Sequence, residues 1–132
     1  MSGASRLNAV IAQAMESRWQ RGVHDCTQFA IDCEIAIKGE TLFPEFYRSY
    51  KTKAEGYSIL KTLGFRNPWD CASSRLEEIS LKMVKRGDLI GHLAPEKSLA
   101  IAANEHQFWA AHDKGGIIMR PIEMAVKAWR FV

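Results

Sequence analysis

His24-Asp25-Cys26-Thr27-Gln28-Phe29-Ala30-Ile31-Asp32-Cys33-Glu34-Ile35-Ala36-Ile37-Lys38-Gly39 is the stretch whose reading decides the fold. Asp25 ahead of the apolar run, with Gln28 placed to complete a capping box, predicts a helix that begins at Cys26. Cys26, Phe29, Ala30, Cys33, Ala36 and Ile37 recur at helical spacing, and Gly39 after Lys38 supplies the stop. The cysteine therefore lies in the first helical turn, where the positive end of the helix dipole favours thiolate over thiol. That placement makes Cys26 a candidate nucleophile of a cysteine hydrolase. The adjacent Asp25 pulls the other way, because a carboxylate opposes a second negative charge. Sharing an apolar face with Phe29 and Cys33, Cys26 also reads as a small core hydrophobe.

Upstream, Leu7, Val10, Ile11, Ala14, Met15 and Trp19 form a helical stripe that predicts a first helix over about residues 5–20, with Gly22 turning the chain into the cysteine helix. Downstream, Thr52 with Glu55 is a second capping-box spacing. It predicts a third helix that buries Ala54, Tyr57, Leu60 and Leu63 and stops at Gly64. The connection between them carries Phe43, Pro44, Phe46, Tyr47 and Tyr50, aromatics that read as core or as the lining of a cleft. Over 66–86 the signals weaken: Asn67-Pro68 reads as a turn and 76–81 as a short helix or an irregular crossing. After Gly87 the punctuation changes. Residues 87–93, 98–103, 107–112, 116–120 and 128–132 are short apolar runs separated by Pro95, Asn104 and Gly115-Gly116, with a helical turn near Met124. Helices first and an antiparallel sheet of about five strands afterwards predict an α+β fold in a single domain, 1–132.

At 132 residues, 47% hydrophobic and 25% charged, the chain has the size and balance of one globular domain. Its net charge of +3 comes from scattered Lys and Arg, which excludes the basic stripe of a nucleic-acid binder. The odd count of 3 cysteines, widely spaced, argues against a disulfide framework and for a reducing compartment. Met-Ser-Gly-Ala-Ser-Arg at the start lacks the apolar core of a signal peptide, and no run approaches the ~20 apolar residues of a membrane span. Synthesis and initial residence in the cytoplasm are therefore expected. His24, Cys26 and Cys33 lack a fourth ligand and a paired Cys-x-x-Cys set, and there is no glycine-rich phosphate loop, so neither a metal nor a cofactor is expected.

A set of local features accompanies this order of elements: Trp19, Gly22, His24-Asp25-Cys26 and Phe29 around the cysteine, then Arg86-Gly87-Asp88-Leu89, Leu99-Ala100-Ile101, Phe108-Trp109-Ala110-Ala111, Gly115-Gly116 and Ala128-Trp129-Arg130. Together they resemble the NlpC-type branch of the papain-like cysteine peptidases over most of the chain. More narrowly, the combination is similar to small phage and prophage NlpC-like proteins associated with tail-tip genes. The resemblance implies a papain-like fold with the cysteine on a helix N-terminus packed against the sheet. In active members the cysteine attacks an amide of the peptidoglycan stem peptide. A histidine at the head of the second strand takes its proton, and a polar residue on the third strand orients that histidine. In the simplest register the base position holds Ser98 and the orienter position falls near Ala110, and neither side chain can act as a base.

Other histidines are then the substitutes to consider. His112 shares a strand face with Ala110 by the period of two and ranks first; His92, on the face of Ile90 and Asp88, ranks second. Each also reads as a surface or turn residue. His24 reads as a loop residue or rim contact, His106 as part of a turn, and Asp88 after Gly87 as a turn-fixing residue. The resemblance with its missing base implies a tail-tip structural component that contacts hub or tape-measure proteins, moving from the host cytoplasm to the virion tail tip. The alternatives are an active cysteine peptidase or amidase acting on peptidoglycan during phage entry, and a transient tail-assembly factor.

Overall fold

The computed structural model describes residues 2–132. Helices α1 (Gly3–Glu16), α2 (Cys26–Lys38), α3 (Lys53–Thr62) and α4 (Pro68–Arg75) come first. Strands β1 (Glu77–Ile79), β2 (Leu89–Leu93), β3 (Lys97–Ala102), β4 (Gln107–Ala111), β5 (Ile117–Pro121) and β6 (Ala125–Arg130) follow, in an antiparallel sheet ordered β1-β6-β2-β3-β4-β5. The α+β order holds, with 6 strands in place of about five. The extra strand, β1, lies in the 76–81 segment, where the sequence pattern suggested a short helix or an irregular crossing; its three residues pair with Ala128, Trp129 and Arg130.

Several boundaries shift for local reasons. Helix α1 ends at Glu16 rather than near 20, because Ser17 turns extended and its carbonyl accepts the Gly116 N–H at 2.7 Å. Asn67-Pro68 is not a turn but a helix start: the Asn67 side chain accepts the Asp70 N–H and Pro68 occupies the first helical turn, where it sacrifices no hydrogen bond. Helix α3 has its expected capping box, yet it buries only Leu60 of the four residues expected. Ala54, Tyr57 and Leu63 stay exposed because α3 lies at the rim of a cleft instead of over the core. Strand β6 begins at Ala125, directly after a short helical turn at Ile122–Met124.

The sheet has two differently built faces. One carries Leu89, Leu99, Ile101, Trp109 and Trp129 and is covered by helix residues, among them Leu7, Ile11, Phe29, Ile31, Leu60 and Trp69. Gly91 is the close point of that interface: a Cβ there would stand 3.0 Å from both the Trp69 and the Trp129 indole. The other face carries Ile90, Phe108, Ala100, Ala102, Ala110, Ala125 and Ala128, and no residue of α1–α4 joins that cluster among the described residues. Ala100 and Ala102 are nevertheless fully buried. Ile79 and Leu81 from one edge of the sheet and Ile118 and Ile122 from the other pack against this second face.

Candidate functional site

Strands β3 and β4 pair only at Ile101↔Trp109 and Ala102↔Phe108. Beyond Ile101 and Trp109 the ladder is not continued, and the parted ends open a cleft of about 520 Å3 whose lining includes Cys26, Tyr57, Glu96, Leu99 and Ala111.

The turn that presents Cys26 is pinned by Asp25, which is fully buried. One Asp25 carboxylate oxygen accepts the Gln28 N–H at 2.8 Å, as an N-cap should, and the other accepts the Gly22 N–H at 2.8 Å and the Tyr50 hydroxyl at 2.9 Å. Gln28, also fully buried, donates to the Phe46 carbonyl at 2.7 Å and accepts the Arg48 N–H at 2.9 Å. Gln28 therefore does not return its side chain to Asp25 to complete the expected capping box; it clamps the aromatic connection to the start of α2 instead. Burial, then the Asp25 charge, pushes the Tyr50 phenol well above its ordinary value, so it stays a donor. Gly22 serves the same junction: its φ is 84°, and a Cβ would stand 1.8 Å from the Tyr50 carbonyl oxygen.

Cys26 itself is partly buried on the face of the sheet that the helices cover. Burial raises its thiol pKa above the ordinary value and the Asp25 charge raises it further. The Leu99 N–H, the Thr27 hydroxyl at 3.9 Å and the Arg21 charge oppose them without reversing the shift. The helix dipole therefore loses to desolvation plus an adjacent carboxylate, and the group rests as a thiol. Cys33 is buried and its thiol is pushed far up by burial, while burial raises Cys71 to about 11. All three cysteines are free.

No imidazole hydrogen-bonds the Cys26 sulfur among the described residues. His92 lines the cleft but is buried on the alanine face, its ring 5.0 Å from that of Phe108. Desolvation, with the Arg120 charge second, lowers its pKa to about 4. His112 lies just beyond β4, and its Nδ1 accepts the Lys114 N–H at 3.2 Å, a bond that closes the β4–β5 turn. His106 is exposed beside Glu105. His24 does lie in the loop between α1 and α2, but not at a rim: it is buried, its Nε2 lies 3.0 Å from the Gly116 carbonyl oxygen, and its ring stands edge-on to Phe29. It braces the cysteine turn against the β4–β5 turn.

The expected base and orienter positions also shift. Ser98 and Ala110 alternate with Leu99 and Trp109, so they belong to the alanine face, away from the cysteine helix. A displacement of one residue turns a strand position to the opposite face. At this end of the sheet Leu99 and Ala111 line the cleft with Cys26, and His112 and Asp113 line it just beyond β4. Asp88 does fix its turn, accepting the Lys85 N–H at 2.8 Å, and it also holds Arg130 through both carboxylate oxygens at 3.1 and 2.8 Å.

The polar rim of the cleft escaped the sequence reading. Lys53 pairs with Glu96, and the Tyr57 hydroxyl donates to the same carboxylate at 3.1 Å. Arg21 stacks over Trp19 at 5.0 Å. Lys53 and Tyr57 are one helical turn apart, a pairing that α3 advertised. Their shared partner Glu96, in the β2–β3 turn, carries no local signal. No group of three His, Cys, Asp or Glu side chains placed to hold a metal occurs among the described residues, and no described helix is long and apolar enough to cross a membrane.

A search of the curated proteins finds no match. A family model described as a domain of unknown function, DUF6950, matches residues 2–131, so the chain belongs to the DUF6950 family.

Proposed function

We propose that this protein is an NlpC-like, papain-type module that serves as a structural component of a phage tail tip and does not hydrolyse peptidoglycan. The observation that carries the reading is the surroundings of Cys26. Its sulfur meets the Thr27 hydroxyl and the Leu99 N–H, its pKa is raised, and no imidazole among the described residues bonds it. A cysteine hydrolase needs thiolate and a base within about 3 Å or one water of it. The cysteine on a helix N-terminus, the antiparallel sheet after it and the cleft between parted strands support the papain-like fold; the decayed base supports the structural role. The tail-tip setting rests on the resemblance of the sequence.

The test is genetic. Phage carrying Cys26→Ala are expected to assemble and infect as wild type does, with the protein present in purified particles. Particles that assemble but fail to penetrate would establish the hydrolase instead, and the protein's absence from complete particles would establish a transient assembly factor.

A further inference from the structure

The cleft does not end at Cys26. Its lining continues over the end of the sheet, through Ser98 and Ala110, to His92, Ile118 and Arg120 on the alanine face. Arg120 stands directly across from Phe108 in the β4–β5 ladder, and Phe108 in turn packs on the His92 ring at 5.0 Å. The imidazole and the guanidinium therefore share one face and one end of the cleft.

Both are short of partners. His92 is 2% exposed, and its Nδ1 is buried with no hydrogen bond. The Arg120 Nε is buried and also unbonded, and among the described residues its guanidinium hydrogen-bonds only the Met124 sulfur, 3.8 Å from Nη1. No carboxylate pairs with Arg120 among the described residues: Glu96 is taken by Lys53 and Tyr57, and Asp113 lies beside His112 at 3.6 Å. A buried polar nitrogen without a hydrogen-bond partner costs free energy, and the half-buried Arg120 guanidinium has no anion beside it among the described residues. What would satisfy both is a small acceptor that carries negative charge. A planar carboxylate matches the fork of an arginine, with one oxygen left for an imidazole N–H.

We infer that the His92–Arg120 end of the cleft is a binding site for a carboxylate-bearing ligand, with Arg120 pairing to the carboxylate and His92 donating from Nδ1. The ligand lies over the alanine floor, and the cleft leaves room for its remainder toward Leu99 and Cys26. Neither group bonds the cysteine sulfur, so the site requires no reaction there and goes beyond the structural role proposed above.

The test uses the full chain with the imidazole nitrogens labelled, and N-acetylalanine as the probe, with N-acetylalanine amide and matched sodium chloride as controls. N-acetylalanine is expected to shift the His92 resonances saturably, with affinity lowered about tenfold or more, that is by at least ~1.4 kcal/mol, in Arg120→Gln. Arg120→Lys, which keeps the charge but loses the fork, is expected to fall between the two and covers the case in which the glutamine variant does not fold. No saturable shift, equal binding of the amide, or binding that survives in both variants would overturn the site. Saturation by inorganic phosphate without saturation by N-acetylalanine would overturn its assignment to carboxylates.

Discussion

At the scale of single residues, environment decides whether Cys26 and its neighbours can do chemistry. A helix N-terminus alone favours thiolate, but burial and Asp25 raise the Cys26 thiol. Iodoacetamide labelling of Cys26, located by peptide mass spectrometry, is therefore expected to be slow at pH 7.5 and to keep accelerating above pH 9. A rate that levels off near neutrality would reveal an activated thiolate. Asp25 answers the Gly22 and Gln28 N–H groups and the Tyr50 hydroxyl at once. Asp25→Ala is expected to cost about 3 kcal/mol in urea unfolding, and Tyr50→Phe about 1 kcal/mol. Smaller effects of similar size for both variants would mean that the turn is held from elsewhere. His92 supplies a pH dependence with a definite sign. Its pKa is about 4 in the folded chain and about 6.5 once unfolded. Above pH 6.5 it is neutral in both states and contributes no slope. Between about 6.5 and 4 the unfolded chain binds the proton and the native one does not, so stability falls by up to about 1.4 kcal/mol per pH unit and levels off below. His92→Leu is expected to flatten that limb of the stability profile relative to wild type; parallel profiles would contradict the buried neutral imidazole.

At the scale of elements, helix α2 was legible to the residue: Asp25 caps it, Cys26 opens it and Gly39, with φ of 84°, closes it. Local chemistry set those limits, and local chemistry is what a sequence displays. Helix α4 and strand β1 were not legible, for two reasons. Asn67-Pro68 suits a turn and a helix start equally well, and Glu77–Ile79 becomes a strand only because β6, some fifty positions later, supplies its partner. Tyr57 and Leu63 were misplaced in the core because α3 has apolar residues at helical spacing but sits at a cleft rim with only Leu60 buried. Tertiary contact also explains Gly91, an ordinary glycine in sequence that lies between the Trp69 and Trp129 indoles. Gly91→Ala is expected to destabilise by about 1–3 kcal/mol through overpacking, read as a lowered urea midpoint with an unchanged slope. No loss would mean that the indoles have room to separate.

At the scale of the whole molecule, the α+β order could be read from the alternation of caps, helical stripes and short strands. The candidate site could be read only in half. Cys26 at the helix start was visible, yet which face Ser98, Ala110 and His92 occupy depends on a register that one residue of slip reverses. The parting of β3 from β4 and the Arg120–His92 pair depend on contacts between strands, which leave no local trace. What emerges is a cleft with Cys26 at one end and, among the described residues, the unpartnered nitrogens of His92 and Arg120 at the other. The decisive measurement is the release of soluble fragments from purified peptidoglycan sacculi, followed by liquid chromatography and mass spectrometry, for wild type and Cys26→Ala side by side. Identical, background-level release from both is the predicted result; stem-peptide fragments released by the wild type and absent with Cys26→Ala would contradict it.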